Sequence, residues 1–273
     1  MKPVFANSAF VTVPERLFLC GGTWRRVPLK VRYGVFRHPA AGPVLIDTGY
    51  GPSVTRGPRG LALRLYNAIL GPDLVAAGQP EAVLQRLGLK PGDVGTIIVT
   101  HFHADHVAGL HLFPKARIVA KADVLRKILK QPAHKNLHQG IFRDLLPVDL
   151  ASRVDDVDGV GLREAPLGLG GGHDLFGDGS VLAIDLPGHA EGHFGLCFAN
   201  LPTPLLYAVD AQWCAEALEE GRRPGFPASL IADDPQALAE STRRVLAFRQ
   251  AGGEVLLCHD PAESRYDLAA EAP

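Results

Sequence analysis

An apolar run, Val94 to Thr100, ends directly in His101-Phe102-His103-Ala104-Asp105-His106, and this junction constrains the chain more than any other feature. On extended backbone His101 and His103 share a parity and project to one side. Asp105 and His106 fall at the turn into the next helix, where they can face a second ion. Imidazole and carboxylate are ligands suited to Zn, Fe or Mn, and no thiolate lies nearby in sequence to suggest a structural Cys site. Read instead as a solvated polar turn, the run would leave the apolar strand beneath it without purpose as a platform.

Other chemistry-bearing residues arrive at the same kind of position. The run Val181 to Asp185 leads into Leu186-Pro187-Gly188-His189, the run Pro204 to Val209 ends in Asp210, and Glu254 to Cys258 ends in His259-Asp260. Alone, each would be an ordinary polar loop residue; jointly, that reading fails. Pro43 to Ile46 is a further short strand, ending in Asp47-Thr48-Gly49. Between the strands, Pro80 opens a helix that Gly88 stops, Lys121 to Lys130 reads as a helix, and Asp234-Pro235 caps one that runs through Arg249. Val31, Tyr33 and Val35 alternate with Arg32 and Gly34, the pattern of a half-buried strand. Pro and Gly break up 131–179, which is expected to be mostly loop and short helix. Leu61 to Leu70 is helix-like and apolar on most sides, as a segment covering something would be.

Composition narrows the function classes. The 28 Lys and Arg balance 29 Asp and Glu, so charge makes no case for a nucleic-acid or anionic-membrane partner. A small-molecule substrate fits better. No apolar stretch approaches the roughly 20 residues of a membrane span. Residues 1–22 lack an uninterrupted apolar core and a small-residue cleavage site, so the chain is expected to be mature and cytoplasmic. Cys20, Cys197, Cys214 and Cys258 form no CxxC pair and are expected to be reduced. With 273 residues, 47% hydrophobic, and no linker-like composition, one domain over 1–273 is expected, with an insertion at about 50–79 and a monomeric or homodimeric state.

In this order the motifs resemble those of the metallo-β-lactamase superfamily across nearly the whole chain: Asp47 the first, His101 to His106 the second, then His189, Asp210 and His259. The resemblance implies an α/β fold, a four-layer αβ/βα sandwich with a dimetal site along one edge of its two sheets. It implies one ion held by His101, His103 and His189, another by Asp105, His106 and His259, and Asp210 bridging them. Two divalent ions are expected, zinc first, with Fe or Mn compatible. Asp47 would orient the ligand loop and His193 would support it by hydrogen bonding. β-Lactam hydrolases of this fold usually carry a cysteine where Asp210 stands, so an antibiotic substrate is disfavoured.

Within the superfamily, Pro187-Gly188-His189-Ala190-Glu191-Gly192-His193, the Asp47 motif, Cys258-His259-Asp260 and the insertion after Tyr50 are most similar to quorum-quenching N-acyl homoserine lactone lactonases. One position departs. Those lactonases place a tyrosine three residues after the bridging aspartate, and here Trp213 stands there. Tyr207 has the wrong parity to replace it, while Tyr50 or Tyr66 could do so only if their loop folds inward. Trp213, Phe142 and the Leu61 to Leu70 segment, if they border the pocket, would favour a substrate with an acyl or aromatic part. The expected reaction is opening of a lactone or carboxylic ester by a metal-bridging hydroxide, with Asp105 as catalytic proton shuttle. A glyoxalase-II-like thioesterase is the alternative and would need a basic carrier patch, for which Arg222-Arg223 and Arg243-Arg244 are candidates. A non-catalytic metal-binding regulatory protein is a third reading.

Overall fold

Among residues 2–269, which the computed structural model describes, thirteen strands assemble into two sheets. The first comprises β1 (Val4–Pro14), β2 (Arg26–His38), β3 (Gly42–Ile46), β4 (Asp73–Leu74), β5 (Thr96–Ile98), β6 (Arg117–Ala120) and β7 (Val154–Asp156), in the order β4-β1-β2-β3-β5-β6-β7. The second comprises β8 (Leu162–Ala165), β9 (Gly170–Asp174), β10 (Val181–Asp185), β11 (Phe194–Phe198), β12 (Leu205–Val209) and β13 (Glu254–Leu257), in the order β13-β12-β11-β10-β9-β8. β3, β5, β6 and β7 run parallel, as do β12 and β13; the other pairs are antiparallel.

The sheets face each other across one core. Phe5, Phe36, Val44, Ile46 and Ile98 from the first meet Val181, Ala183, Phe194, Leu196, Phe198, Leu205, Tyr207 and Val209 from the second. The alternate residues point outward but are also covered. Leu45 and Ile97 join Val83, Leu84, Leu125 and Ile128 beneath helices Pro80–Arg86 and Ala122–Lys130. Leu182, Ile184, Leu206 and Ala208 join Val245 and Phe248 of helix Pro235–Gln250. Helices therefore cover both outer faces, which makes the expected four-layer αβ/βα sandwich, and strands buried on two faces read as continuous apolar runs. Asp234 caps the last helix, its carboxylate accepting from the backbone N–H groups of Gln236 and Ala237 at 2.9 and 3.0 Å. No helix of the described residues is long and apolar enough to cross a membrane.

Two sequence expectations need correction. The first is 131–179, which contains β7, β8 and β9 as well as loops: positive φ at Gly168 and Gly170 turns β8 into β9, and an exposed, glycine-rich edge hairpin carries no apolar alternation to betray it. The second is β2, which is not half-buried. Arg32 is only 1% exposed, because Asp267 grips its guanidinium with both oxygens at 2.8 and 2.9 Å and backbone carbonyls take the remaining donors. The N-terminal segment, read in the sequence only for a leader, holds β1, whose polar residues serve the ladder. Asn7 sits at a register shift and its side-chain oxygen accepts from Val31 N–H at 2.8 Å.

Candidate metal centre and its cavity

β3, β5, β10, β12 and β13 deliver their C-terminal ends to one edge of the sandwich, and every residue expected near a metal lies just beyond one of them, Asp105 and His106 in the short helix Ala104–Val107 and the others on loops. Asp47 follows β3 with φ at 58°, and Val209, which directs Asp210, has φ at 52°. A left-handed β-branched residue is an outlier costing on the order of 1–3 kcal/mol, held here by the packing around it. Gly188 sets the approach of His189. At φ +115°, a Cβ on it would lie 2.0 Å from the Leu238 nitrogen, so only glycine lets this loop seat against the last helix.

Hydrogen bonds outside the cluster fix which imidazole nitrogen faces in. Asp47 accepts from Thr100 N–H at 2.9 Å, Thr100 Oγ1 at 2.8 Å and His106 Nδ1 at 2.9 Å, which turns His106 Nε2 toward the centre. His259 Nδ1 donates to the Lys30 carbonyl at 2.7 Å with the same result. His193 differs. Its Nδ1 donates to the Leu186 carbonyl at 2.7 Å and its Nε2 accepts from Asp210 N–H at 3.2 Å, so both nitrogens are committed to holding the loop.

At the centre, Asp210 Oδ2 lies 3.1 Å from His189 Nε2, 3.3 Å from His106 Nε2 and 3.6 Å from His101 Nε2, while Oδ1 lies 3.4 Å from His259 Nε2. Asp105 Oδ2 is 3.5 Å from His106 Nε2 and 3.4 Å from His259 Nε2. Ligands on a common tetrahedral zinc, with bonds of about 2.1 Å, stand about 3.4 Å apart. Two clusters each gather their ligand atoms within 4.8 Å of one another: His101, His103, His189 and Asp210, and His106, Asp210, Cys258 and His259, with Asp210 in both. His101 Nε2, His106 Nε2 and Asp210 Oδ1 are buried without a hydrogen-bond partner, which a cation between them would resolve. The donor set fits two divalent ions.

Ionisation of the two carboxylates and of His101 and His103 agrees with ligation. Burial raises the Asp105 carboxyl, but His106 and His259 outweigh it and hold it down at about 2. Burial likewise opposes ionisation of Asp210, and His259, His106 and His189 overcome it. Burial, then neighbouring imidazoles, pushes His103 down to about 3 and His101 well below its ordinary value. Anionic carboxylates and neutral His101 and His103 are in the protonation states that ligands require, whereas His106 and His259 are raised, because Asp105 and Asp47 for the one and Cys258 and Asp210 for the other outweigh burial. Asp47 is lifted by burial against the pull of His106, and its three donors keep it an acceptor.

The model of the metallo-β-lactamase superfamily matches residues 28–258 of this chain. The chain belongs to that superfamily. Among superfamily members it is 28% identical over 253 residues to the N-acyl homoserine lactonase AttM of Azorhizobium caulinodans, covering 85% of this chain and 82% of that one. AttM of Agrobacterium fabrum is 29% identical over 210 residues, covering 74% and 73%. Of solved superfamily structures, a B. thuringiensis AiiA mutant with N-decanoyl-L-homoserine bound superposes with a TM-score of 0.69 at 19% identity, over 95% of this chain and 93% of that one. AidC, a dizinc quorum-quenching lactonase, gives 0.63 at 14% identity, over 95% and 87%. These superpositions establish the fold.

Above the metal cluster opens a cavity of about 470 Å³. His103, Asp105, His189, Asp210 and His259 form its floor; Val11, Leu29, Ile69, Leu70, Leu230 and Ile231 supply much of its wall. Trp213 stands in the wall with its ring centroid 5.5 Å from that of His259, and Tyr50 and Tyr66 also line the cavity, so their segment does fold inward. Phe142 corrects the expectation placed on it. It does not reach the cavity lining, because its ring packs behind Tyr66 at 4.7 Å and is buried in the helix-side core. Tyr207 is enclosed between the sheets, its hydroxyl donating to the Arg32 carbonyl at 3.1 Å. Sequence reasoning passed over Thr100 and Cys258, whose only signal was adjacency to His101 and His259, and the wall residues on β1, β2 and 227–231.

Proposed function

We propose that this chain is a dinuclear metal-dependent hydrolase that opens lactones or carboxylic esters bearing an apolar acyl part, acyl homoserine lactones foremost. One observation carries the reading: among the described residues lining the cavity none is Lys or Arg, so an apolar wall stands directly over a His and Asp floor. An acyl chain has somewhere to bury, and an anionic carrier has nothing to hold it. That argues against the thioesterase alternative. None of the four arginines that could have formed its carrier patch lines the cavity, and two are engaged elsewhere, Arg222 with the Cys20 carbonyl and Glu220, Arg244 with the Asp185 carbonyl. The names of the AttM and AidC relatives point the same way.

In this proposal His101, His103 and His189 hold one ion, Asp105, His106 and His259 the other, and Asp210 is shared. Zinc is the ion assigned, since imidazole and carboxylate donors suit it, with iron or manganese as the alternatives. When bound, such a pair supplies a water-derived nucleophile at neutral pH and Lewis acidity toward a carbonyl. The chain's own residues do the rest. Asp105, ionised and facing the cavity, accepts the proton that the attacking water gives up and returns it to the leaving alkoxide. Asp47 and the Lys30 carbonyl hold His106 and His259 in the tautomers the floor needs. The apolar wall excludes water and orients the acyl group. Residues 50–79 act as the substrate-pocket insertion of a single domain, supported by Tyr50, Tyr66, Ile69 and Leu70 in the lining. Four free thiols support a cytoplasmic location.

The test is turnover by metal-quantified protein on acyl homoserine lactones, simple lactones, acyl thioesters and aryl phosphodiesters, with and without chelator. Chelator-sensitive opening of acyl lactones above about 10⁴ M⁻¹s⁻¹ in kcat/KM is expected. Preference for thioesters, or full turnover after metal removal, contradicts the proposal.

A further inference from the structure

The floor holds imidazoles and carboxylates, and hydrolysis of an ester also builds negative charge on the carbonyl oxygen. A neutral O–H donor in the wall would meet that charge without adding a cation to an apolar cavity. The lining contains two hydroxyls among the described residues, those of Tyr50 and Tyr66, and they are hydrogen-bonded to each other. We propose that Tyr66 donates its hydroxyl hydrogen bond to the substrate's acyl-carbonyl oxygen as charge accumulates there, with Tyr50 as the positioning residue that sets Tyr66's orientation. This inference rests on the hydrolase reading above.

Proton count supports the pairing. Two hydroxyls bring two protons, their mutual bond uses one, and the other is free to point at a ligand. Tyr50, 2% exposed, donates the mutual bond from below and Tyr66 accepts it, so the Tyr66 proton stays free, and Tyr66 is half-buried and reaches the open volume. Tyr50 is anchored at its backbone: its N–H donates to Ser8 Oγ at 2.9 Å, and Ser8 Oγ donates to the Val31 carbonyl at 2.9 Å. Gly49, at φ +68°, makes this seat available, since a Cβ there would fall 2.4 Å from Ser8 Oγ. Tyr66 is braced by the Phe142 ring behind it. Burial, reinforced for Tyr66 by the charge of Asp105, raises both phenols above their ordinary range, so both remain protonated donors through neutral pH. Trp213, in the same wall beside His189 and His259, offers an N–H and serves as the comparison residue.

Two substitutions, Tyr66→Phe and Tyr50→Phe, remove one oxygen each and keep the rings, and Trp213→Phe is made alongside. Each variant is checked for metal content and assayed for lactone turnover. Each is also titrated with an acyl-chain phosphonate, an anionic tetrahedral mimic, and with a chain-matched neutral amide. The expected result for Y66F is a kcat lower by about 10²-fold with KM changed by less than about threefold, the signature of an interaction made in the transition state. Phosphonate affinity should fall by about 10-fold or more while amide affinity stays within about twofold. Y50F should show the same pattern, weaker. Equal losses for phosphonate and amide would mean that Tyr66 only packs, and would overturn the inference. So would wild-type lactone turnover retained in Y66F. Wild-type protein that binds the phosphonate through Tyr66 but opens no ester or lactone contradicts the hydrolase reading and not the tyrosine contact.

Discussion

The floor and the wall of the cavity are built by opposite means. The floor is delivered at the ends of the inner strands, and bonds to Asp47 and to the Lys30 carbonyl aim His106 and His259 into it. The wall comes from β1 and β2, which are paired in the first sheet, and from the Leu61–Leu70 helix and the 227–231 turn, and it meets the cavity mainly through apolar side chains. The helix is open to solvent along its outer edge: Leu61 and Leu65 are 79 and 60% exposed. The contrast teaches that the reaction type is locked into the sandwich, whereas the choice of substrate lies in elements that can vary without disturbing it.

Substitutions can break that division. Asp210→Asn, which weakens the residue shared by both clusters, should lower kcat by more than about 10³-fold and reduce metal content on elemental analysis. Asp47→Ala touches no substrate, yet it leaves Thr100 and His106 Nδ1 without their acceptor. A loss of about 10–100-fold in metal affinity or activity is expected, read by competition with a chromogenic chelator. Wall substitutions should behave differently. Leu230→Ala is expected to raise KM for long-chain acyl substrates about fivefold, roughly 1 kcal/mol, while kcat and metal content hold; short-chain substrates should not respond. A wall variant that loses metal would show that the two regions are not separate.

The smallest effect concerns a buttress beneath the floor. Asp267 holds Arg32, whose neighbouring carbonyl contacts include the loop carrying His259. Burial would raise the Asp267 carboxyl, but hydrogen bonds from Arg32 outweigh it and its folded-state pKa is depressed. The resulting stability is therefore present above the ordinary aspartate range and lost as pH falls through the depressed value. Asp267→Asn should flatten the acid limb of the Tm profile below about pH 4, with the neutral-pH activity per folded molecule little changed.

The sequence made the floor readable because metal ligation demands particular residue types and strand ends deliver them at fixed offsets. His101 to His106 is the clearest case; Asp210 and His259 gained meaning only from their order. Arg32 was misread because an arginine in an alternating pattern implies solvent, and its partner Asp267 lies 235 positions away. β8 and β9 escaped notice because edge strands rich in glycine bury too little to leave a period. Thr100 and Cys258 look like strand-end spacers until the fold turns them toward Asp47 and the second cluster. The wall was the least legible region. Apolar residues from four distant segments carry no mutual signal in one sequence, so Phe142 was placed in the lining when it belongs behind it.

Anomalous diffraction at the zinc edge from crystals of the purified, metal-loaded protein tests the central claim most directly. Two peaks are expected, one among His101, His103 and His189, the other among Asp105, His106 and His259, with Asp210 touching both. A single peak, or a second ion bound through the Cys258 thiolate in place of Asp105, would contradict the shared-carboxylate dinuclear centre on which the proposed chemistry depends.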